Sequence, residues 1–367
     1  MPIREETFRI GCGRYLQKAG LLKNVGEEIL YYGKTPFVIG GKTALEIVRF
    51  EIEDSISQSC KKYAIKEYQG SCNKDSAKEF ACFANRNGFD VIVGIGGGVM
   101  MDFAKLIAFY ANLPVINIPT QTATCAAYTP LSVCYTKDGR TVGTEHFKKE
   151  VSAVIVDTEL LAKQPTRLLL AGVFDALAKF VEIKQRFNPK EYYPLGLDWA
   201  FVMAEHSFKE LCELTPACLN DLKQGEITDR VERLLFILIA VTGVISGIAR
   251  GSNQTALAHK FYESTRAMFF EESRQYLHGE IVGVGLLLQN YFNNEVENNE
   301  FLLSLMSEYK MPCGITDIGL PVTDDVKKIY FDNLKSGSAI DENNQDELIK
   351  LQAGLDYLWR TKYAKNY

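Results

Sequence analysis

Asp175, His259 and His278 are the residues whose types best suit a metal-assisted reaction. Asp175 sits in Leu170-Ala171-Gly172-Val173-Phe174-Asp175-Ala176-Leu177-Ala178-Lys179, a carboxylate in a predominantly apolar helical stretch. An unpaired charge there is costly to bury, so it calls for a cation. Of the four histidines, His259 in Ala256-Leu257-Ala258-His259 and His278 in Leu277-His278-Gly279-Glu280 have small neighbours that leave room around a ring. One carboxylate and two imidazoles leave a tetrahedral divalent ion with one or more open positions, the make-up of a catalytic and not of a closed structural site. Such an ion eases loss of the proton from a bound alcohol and polarises a carbonyl in the reverse direction. No short motif links the three residues. A single histidine on an apolar face is more often a packed core residue, so spacing alone leaves both readings open.

A second candidate is glycine-rich. Val91-Ile92-Val93-Gly94-Ile95-Gly96-Gly97-Gly98 is followed by Val99-Met100-Met101-Asp102-Phe103-Ala104-Lys105, a buried strand that runs through glycines into a helix. Glycines let a pyrophosphate approach the backbone, and a helix N-terminus offers free N–H groups and a favourable dipole. The spacing is not GxGxxG, and by itself the turn could equally be a tight strand-to-helix connection. The following strand ends in Pro119-Thr120-Gln121-Thr122-Ala123-Thr124, a hydroxyl-rich loop. Threonines in a solvated loop can simply make local turns. Its position at the carboxyl edge of the sheet, where open α/β sheets bind ligands, favours a cofactor site.

A sheet must present the turn and helices must present the ligands. Short apolar runs at 36–39, 63–68, 91–94 and 115–118 predict strands, with helices at 42–57, 75–87 and 100–111. A strand at 131–136, the turn Lys137-Asp138-Gly139 and a strand at 153–156 read as a hairpin insertion closing the sheet domain. Beyond about residue 158 the period changes to 3.6, as in 168–185, 198–214 and 229–249, which predicts an all-helical half. The expected organisation is an α/β domain over 1–160 and a helical domain over 161–367, with the site in a cleft between them. Residues 234–249 are uncharged between Arg233 and Arg250 but fall short of the ~20 that a membrane helix needs. They predict a central helix buried in the all-helical domain.

The 367 residues, 47% hydrophobic and 24% charged, exclude a disordered or fibrous chain. A net charge of -5 argues against a basic footprint for nucleic acid or an anionic membrane, which leaves small molecules as partners. Nine cysteines without a CxxC pair predict free thiols in a reducing compartment. The start, Met1-Pro2-Ile3-Arg4-Glu5-Glu6, lacks the apolar core of a signal peptide, so the expected compartment is the cytoplasm.

Taken in order, Gly96-Gly97-Gly98 with Asp102, Pro119-Thr120, Leu131-Ser132-Val133-Cys134-Tyr135-Thr136, Val156-Asp157-Thr158, Ala171-Gly172 with Asp175-Ala176-Leu177-Ala178, Ala258-His259 and His278-Gly279-Glu280 resemble the glycerol dehydrogenase family of the iron-containing alcohol dehydrogenases. The resemblance implies a dehydroquinate synthase-like architecture, in which 1–160 is a dinucleotide-binding (Rossmann-like) domain and 161–367 a helical metal-binding domain, and a homo-oligomer. It implies a divalent metal on Asp175, His259 and His278, and NAD(P) contacts from Gly96, Gly97, Gly98, Asp102, Thr120, Thr124, Thr129, Leu131 and Tyr135. Some iron-type relatives have a histidine four residues after the aspartate as a fourth ligand. Lys179 stands there in this chain, which fits the three-ligand branch and favours zinc over iron.

Three departures bear on the substrate. Cys125 stands where glycerol dehydrogenases carry an aspartate that holds the polyol, and is read as a small residue and not as a nucleophile. Lys179 lies one helical turn from Asp175 and adds a positive charge, unless it snorkels to solvent. Loss of an anion and gain of a cation favour an anionic substrate such as a 2-oxo acid. The loop Thr124-Cys125-Ala126-Ala127-Tyr128-Thr129-Pro130-Leu131-Ser132-Val133 likewise resembles the hydroxycarboxylate dehydrogenase branch. At the end of the second strand, Gly41 replaces the acid expected for a ribose 2'-hydroxyl, with Lys42 beside it, so NADPH is somewhat favoured over NADH. The alternatives are a glycerol or 1,2-diol dehydrogenase, a dehydroquinate synthase-like lyase, and an inert metabolite-binding relative suggested by Val99 and Cys125.

Overall fold

Runs rich in valine and isoleucine and buried on both faces make parallel strands, and the amphipathic runs between them make the crossover helices. The computed structural model describes residues 10–186, 196–249, 251–337 and 339–361. The charged start Met1-Glu6 and Arg250 used above lie outside them. The order is β1 (Arg14–Lys18), α1 (Val25–Leu30), β2 (Pro36–Gly40), α2 (Lys42–Ser59), β3 (Ala64–Glu67), α3 (Lys74–Arg86), β4 (Val91–Gly96), α4 (Gly98–Ala111), β5 (Val115–Pro119), β6 (Leu131–Tyr135), β7 (Thr141–His146), β8 (Ala153–Asp157) and α5 (Thr158–Leu161). There follow α6 (Thr166–Arg186), α7 (Leu197–Lys223), α8 (Asp229–Phe236), α9 (Thr242–Ala249), α10 (Leu257–Met268), α11 (Phe270–Ser273), α12 (His278–Phe292), α13 (Asn298–Glu308), α14 (Asp324–Lys335) and α15 (Gln345–Arg360).

Six strands form one parallel sheet in the order β1-β8-β5-β4-β2-β3. From β2 the chain goes outward to β3 and then returns to the other side of β2, so the order reverses between β2 and β4. Ligands of open α/β sheets bind at the carboxyl ends of the strands at such a reversal. Here those ends are Gly40-Gly41 and Gly96-Gly97, held together by the register Gly40↔Ile95 and the Gly41 N–H donating to the Ile95 carbonyl.

The hairpin differs from the expectation. β6 pairs with β7, antiparallel and apart from the main sheet, while β8 joins the parallel sheet between β1 and β5. The sequence of β7 hides it, because all but one of its six residues are exposed and no apolar face is needed.

By its internal contacts the chain forms two compact units, one built from Arg9–Gln164 and Ala217–Gly247, the other chiefly from Pro165–Pro216 and Ile248–Tyr367. A single boundary near residue 160 does not describe this division. The apolar run also departs from expectation. Asp229–Ala249 is long and apolar enough to cross a membrane by length and composition, with mean hydropathy 2.0. Most of it, however, belongs to the sheet unit and not to an all-helical core. Gly243 permits this, since a Cβ there would stand 2.4 Å from the Tyr128 ring. Within the run, Ile237–Val241 opens into a π-helical turn, and the Thr242 hydroxyl donates to the Ile237 carbonyl at 2.8 Å.

Candidate functional site

The long helix α6 carries Asp175, Lys179 and Glu182 at i, i+4 and i+7, hence on one face. His259 comes from the first turn of α10, and His278 is the first residue of α12. Close packing of α12 on α6 brings these residues together. A Cβ on Gly279 would lie 1.8 Å from the Ala171 carbonyl oxygen, so only glycine lets the backbone beside His278 approach α6 so closely. Glu280 fixes the same corner. Its carboxylate accepts two hydrogen bonds from Arg167, each of 2.6 Å, and one from the Leu277 N–H at 2.7 Å.

The predicted ligand atoms of Asp175, His259 and His278 all lie within 4.8 Å of one another. Asp175 Oδ1 stands 3.3 Å from His259 Nε2 and 3.5 Å from His278 Nε2. It is buried and has no hydrogen bond of good geometry. Bonds of ~2.0–2.1 Å in tetrahedral zinc sites put neighbouring ligand atoms about 3.3–3.4 Å apart, so the spacing fits a shared ion. Asp175 and His259 are buried, whereas the His278 side chain keeps 28% of its exposure and leaves an open side.

Lys179 is not a solvated surface lysine. It is buried, with Nζ 3.6 Å from Asp175 Oδ1. Burial pushes the Asp175 carboxyl up, but Lys179 and the two imidazoles outweigh it and hold the group well below its ordinary range. Burial disfavours the charged form of His259, yet Glu182 and Asp175 on either side raise it to about 9. His278 moves down, because burial, His259 and Lys179 together outweigh the attraction of Asp175.

In the sheet unit, Gly96 has φ +153°, a conformation closed to most side chains, and Gly97 and Gly98 are approached by the loop that follows β5. A Cβ on Gly97 would meet Gln121 Nε2 at 1.7 Å, and one on Gly98 would meet Thr124 Oγ1 at 2.8 Å. The first turn of α4 has no side-chain cap, and the Thr120 N–H donates to the Gly96 carbonyl at 3.0 Å. Gly96, Gly97, Gly98, Thr120 and Thr124 are thus brought together. Gly41 and Lys42 lie on the neighbouring strand end, Gly41 with open space around it and Lys42 exposed.

Asp102 points inward. Its carboxylate accepts from the Val133 N–H at 3.0 Å and pairs with Lys105 Nζ at 2.9 Å. Lys105 Nζ also donates to the carbonyls of Ala126 and Thr129, at 2.7 and 2.8 Å, and to that of Leu131. The buried pair therefore fastens the loop that bears Cys125, Thr129 and Leu131. Cys125 is itself buried, and its carbonyl accepts from the Tyr128 N–H at 3.0 Å. Tyr135 is tied on β6 by its N–H donating to the Cys72 carbonyl at 2.8 Å.

Sequence reasoning did not single out Glu182, Lys105, Arg167 or Tyr262, whose ring packs edge-on against His278 at 4.2 Å. For Glu182 a signal existed, a second carboxylate seven residues beyond Asp175 in the same apolar helix.

Residues 12–158 match the iron-containing alcohol dehydrogenase family. The chain is 29% identical over 320 residues to a glycerol dehydrogenase of Thermotoga maritima, a match covering 86% of this chain and 85% of that one. To hydroxycarboxylate dehydrogenase A of Escherichia coli it is 25% identical over 306 residues, covering 82% and 83%. The crystal structure of a probable glycerol dehydrogenase from Sinorhizobium meliloti 1021 superposes with a TM-score of 0.80 at 22% identity, covering 96% of this chain and 98% of that one. The chain thus carries an iron-containing alcohol dehydrogenase domain and is, over most of its length, a homologue of the glycerol dehydrogenases.

Proposed function

We propose that this oxidoreductase is a metal-dependent, NAD(P)-linked dehydrogenase that interconverts a small 2-hydroxy acid and its 2-oxo acid. The observation that carries the substrate class is the buried ammonium of Lys179 beside Asp175, a fixed positive charge among the metal-ligand residues. Asp175, His259 and His278 hold the ion, zinc in preference to iron, and when bound it supplies a Lewis acid for the carbonyl or alcohol oxygen. Lys179 offers its N–H groups to the substrate carboxylate and orients the neighbouring carbonyl, and a charge-assisted bond of this kind is stronger than a neutral one. The buried, uncharged Cys125 in place of a polyol-holding acid agrees with this reading. So does the relative named hydroxycarboxylate dehydrogenase A.

For the coenzyme, the uncapped first turn of α4 beside Gly96, Gly97 and Gly98 supplies N–H groups to a pyrophosphate. Asp102 acts by holding the loop at Thr129 and Leu131. Open space at Gly41 and the adjacent Lys42 give no repulsion to a 2'-phosphate, which favours NADPH. The enzyme works in the cytoplasm on a small molecule, as a homo-oligomer.

A second reading, a glycerol or 1,2-diol dehydrogenase, is favoured by the names of other relatives. Initial rates of NADPH and NADH oxidation by zinc-loaded protein with 2-oxobutanoate, 2-oxoglutarate and dihydroxyacetone separate the two. Faster turnover of the oxo acids is expected. Preference for dihydroxyacetone would return the protein to polyols, and a strong preference for NADH would remove the coenzyme assignment.

A further inference from the structure

Helix α10 begins in an unusual way, with Ala256 at its N-cap and no side chain of its own on the first amides. Free N–H groups at a helix start need acceptors, particularly in a buried setting. Neighbouring helices supply them. Gln289 of α12 accepts from the Leu257 N–H at 2.7 Å. Glu182 of α6 accepts with Oε1 from the N–H groups of Ala256 and His259, at 2.7 and 2.8 Å. The Glu182 side chain is fully buried. Its other oxygen, Oε2, lies 2.5 Å from His259 Nδ1.

A carboxylate only accepts hydrogen bonds, so the imidazole nitrogen facing it carries the proton. In neutral His259 that leaves the lone pair on Nε2, the atom 3.3 Å from Asp175 Oδ1. We infer that Glu182 is the positioning residue of the metal centre, capping α10 with one oxygen while the other fixes His259 as the tautomer that presents Nε2 to the ion. Outer carboxylates commonly orient metal-bound histidines in this way. The inference rests on the metal reading of Asp175, His259 and His278 given above. Three N–H donors converging on two oxygens distinguish a carboxylate from the isosteric amide. Glutamine at 182 can satisfy the two backbone donors with its oxygen, but then turns its NH2 toward Nδ1. His259 must answer with a lone pair there, which moves its own proton onto Nε2 and blocks the ligand position.

The test is zinc affinity by chelator competition for the wild type, Glu182→Gln and Asp175→Asn, with the thermal midpoint of each metal-free protein measured alongside. Glu182→Gln is expected to bind zinc roughly 10- to 100-fold more weakly while its metal-free form still unfolds in one cooperative transition, because the cap is retained. Wild-type affinity in Glu182→Gln overturns the inference and leaves the metal reading intact. A wild type that binds zinc no better than Asp175→Asn overturns the metal reading, and the inference with it. Should Glu182→Gln fail to fold, two-bond 15N correlations of His259 in zinc-loaded wild type decide. A proton on Nδ1 is expected, and one on Nε2 overturns the assignment.

Discussion

Lys179 and Asp175 stand one turn apart on α6, and the proposed substrate class rests on their charges. With Nζ buried and 3.6 Å from Asp175 Oδ1, the ammonium has already lost most of its hydration, so pairing with a substrate carboxylate would cost it little more. Replacing a buried charge partner costs about 2 kcal/mol or more, which corresponds to roughly a 30-fold rise in KM. Lys179→Met is expected to show that rise with a 2-oxo acid and little change with dihydroxyacetone, measured as initial rates on zinc-loaded protein. Equal effects on both substrates would mean that Lys179 serves the fold or the metal and not the substrate. Zinc binding should survive the substitution, since the ammonium competes with the cation for Asp175. Among individual residues, Asp175 was legible because a carboxylate in apolar surroundings needs a partner. Whether Lys179 faced inward was not, because four methylenes can carry its charge either way. Glu182 escaped notice for a different reason, in that its partners are backbone amides and a ring nitrogen from a segment more than seventy residues away.

The elements that position these residues depend on how closely helices approach. At Gly279 a methyl group would sit 1.8 Å from the Ala171 carbonyl oxygen, and a backbone atom in mid-helix cannot move aside. Gly279→Ala must therefore separate α12 from α6, and overpacking of this kind costs typically 1–3 kcal/mol. Because His278 is the preceding residue, weaker zinc binding is expected together with lower stability in denaturant titration. Gly41→Ala provides the control, since nothing lies within 4 Å of its Cβ and its φ is -70°. An unchanged zinc affinity in Gly279→Ala would show that α12 can shift without moving its histidine. Most elements were legible from period alone. The fully buried strands β2, β4, β5 and β8 and the helices α2, α3, α4 and α6 lie close to where apolar runs placed them. β1 and β7 were not, because Arg14–Lys18 and Thr141–His146 lie at exposed edges and need few apolar residues. The turn at Ile237–Val241 was hidden for another reason, as its i→i+5 bonding leaves an apolar pattern much like that of an α-helix.

At the scale of the molecule, each unit carries one class of candidate ligand residue. Asp175, His259 and His278 all belong to the unit of Pro165–Pro216 and Ile248–Tyr367, and the glycine turn with its loop belongs to the other. The sequence conveyed the change from strands to helices near residue 158. It did not reveal that Ala217–Gly247 belongs with the sheet, because a buried helix looks the same whatever covers it. A ligand that binds only the folded state stabilises it by an amount set by its concentration over Kd, about 2.7 kcal/mol at a hundredfold excess. That stabilisation should appear first where the ligand residues are. Hydrogen exchange read by mass spectrometry is expected to slow in α6, α10 and the start of α12 on adding zinc, and to return on chelation. NADPH should instead slow exchange around residues 96–99 and 120–135, where the uncapped first turn of α4 and the Lys105-held loop lie. Zinc protection confined to the sheet unit would remove the metal from Asp175. Coenzyme protection absent from residues 96–99 would reduce the glycine turn to a tight connection between strand and helix.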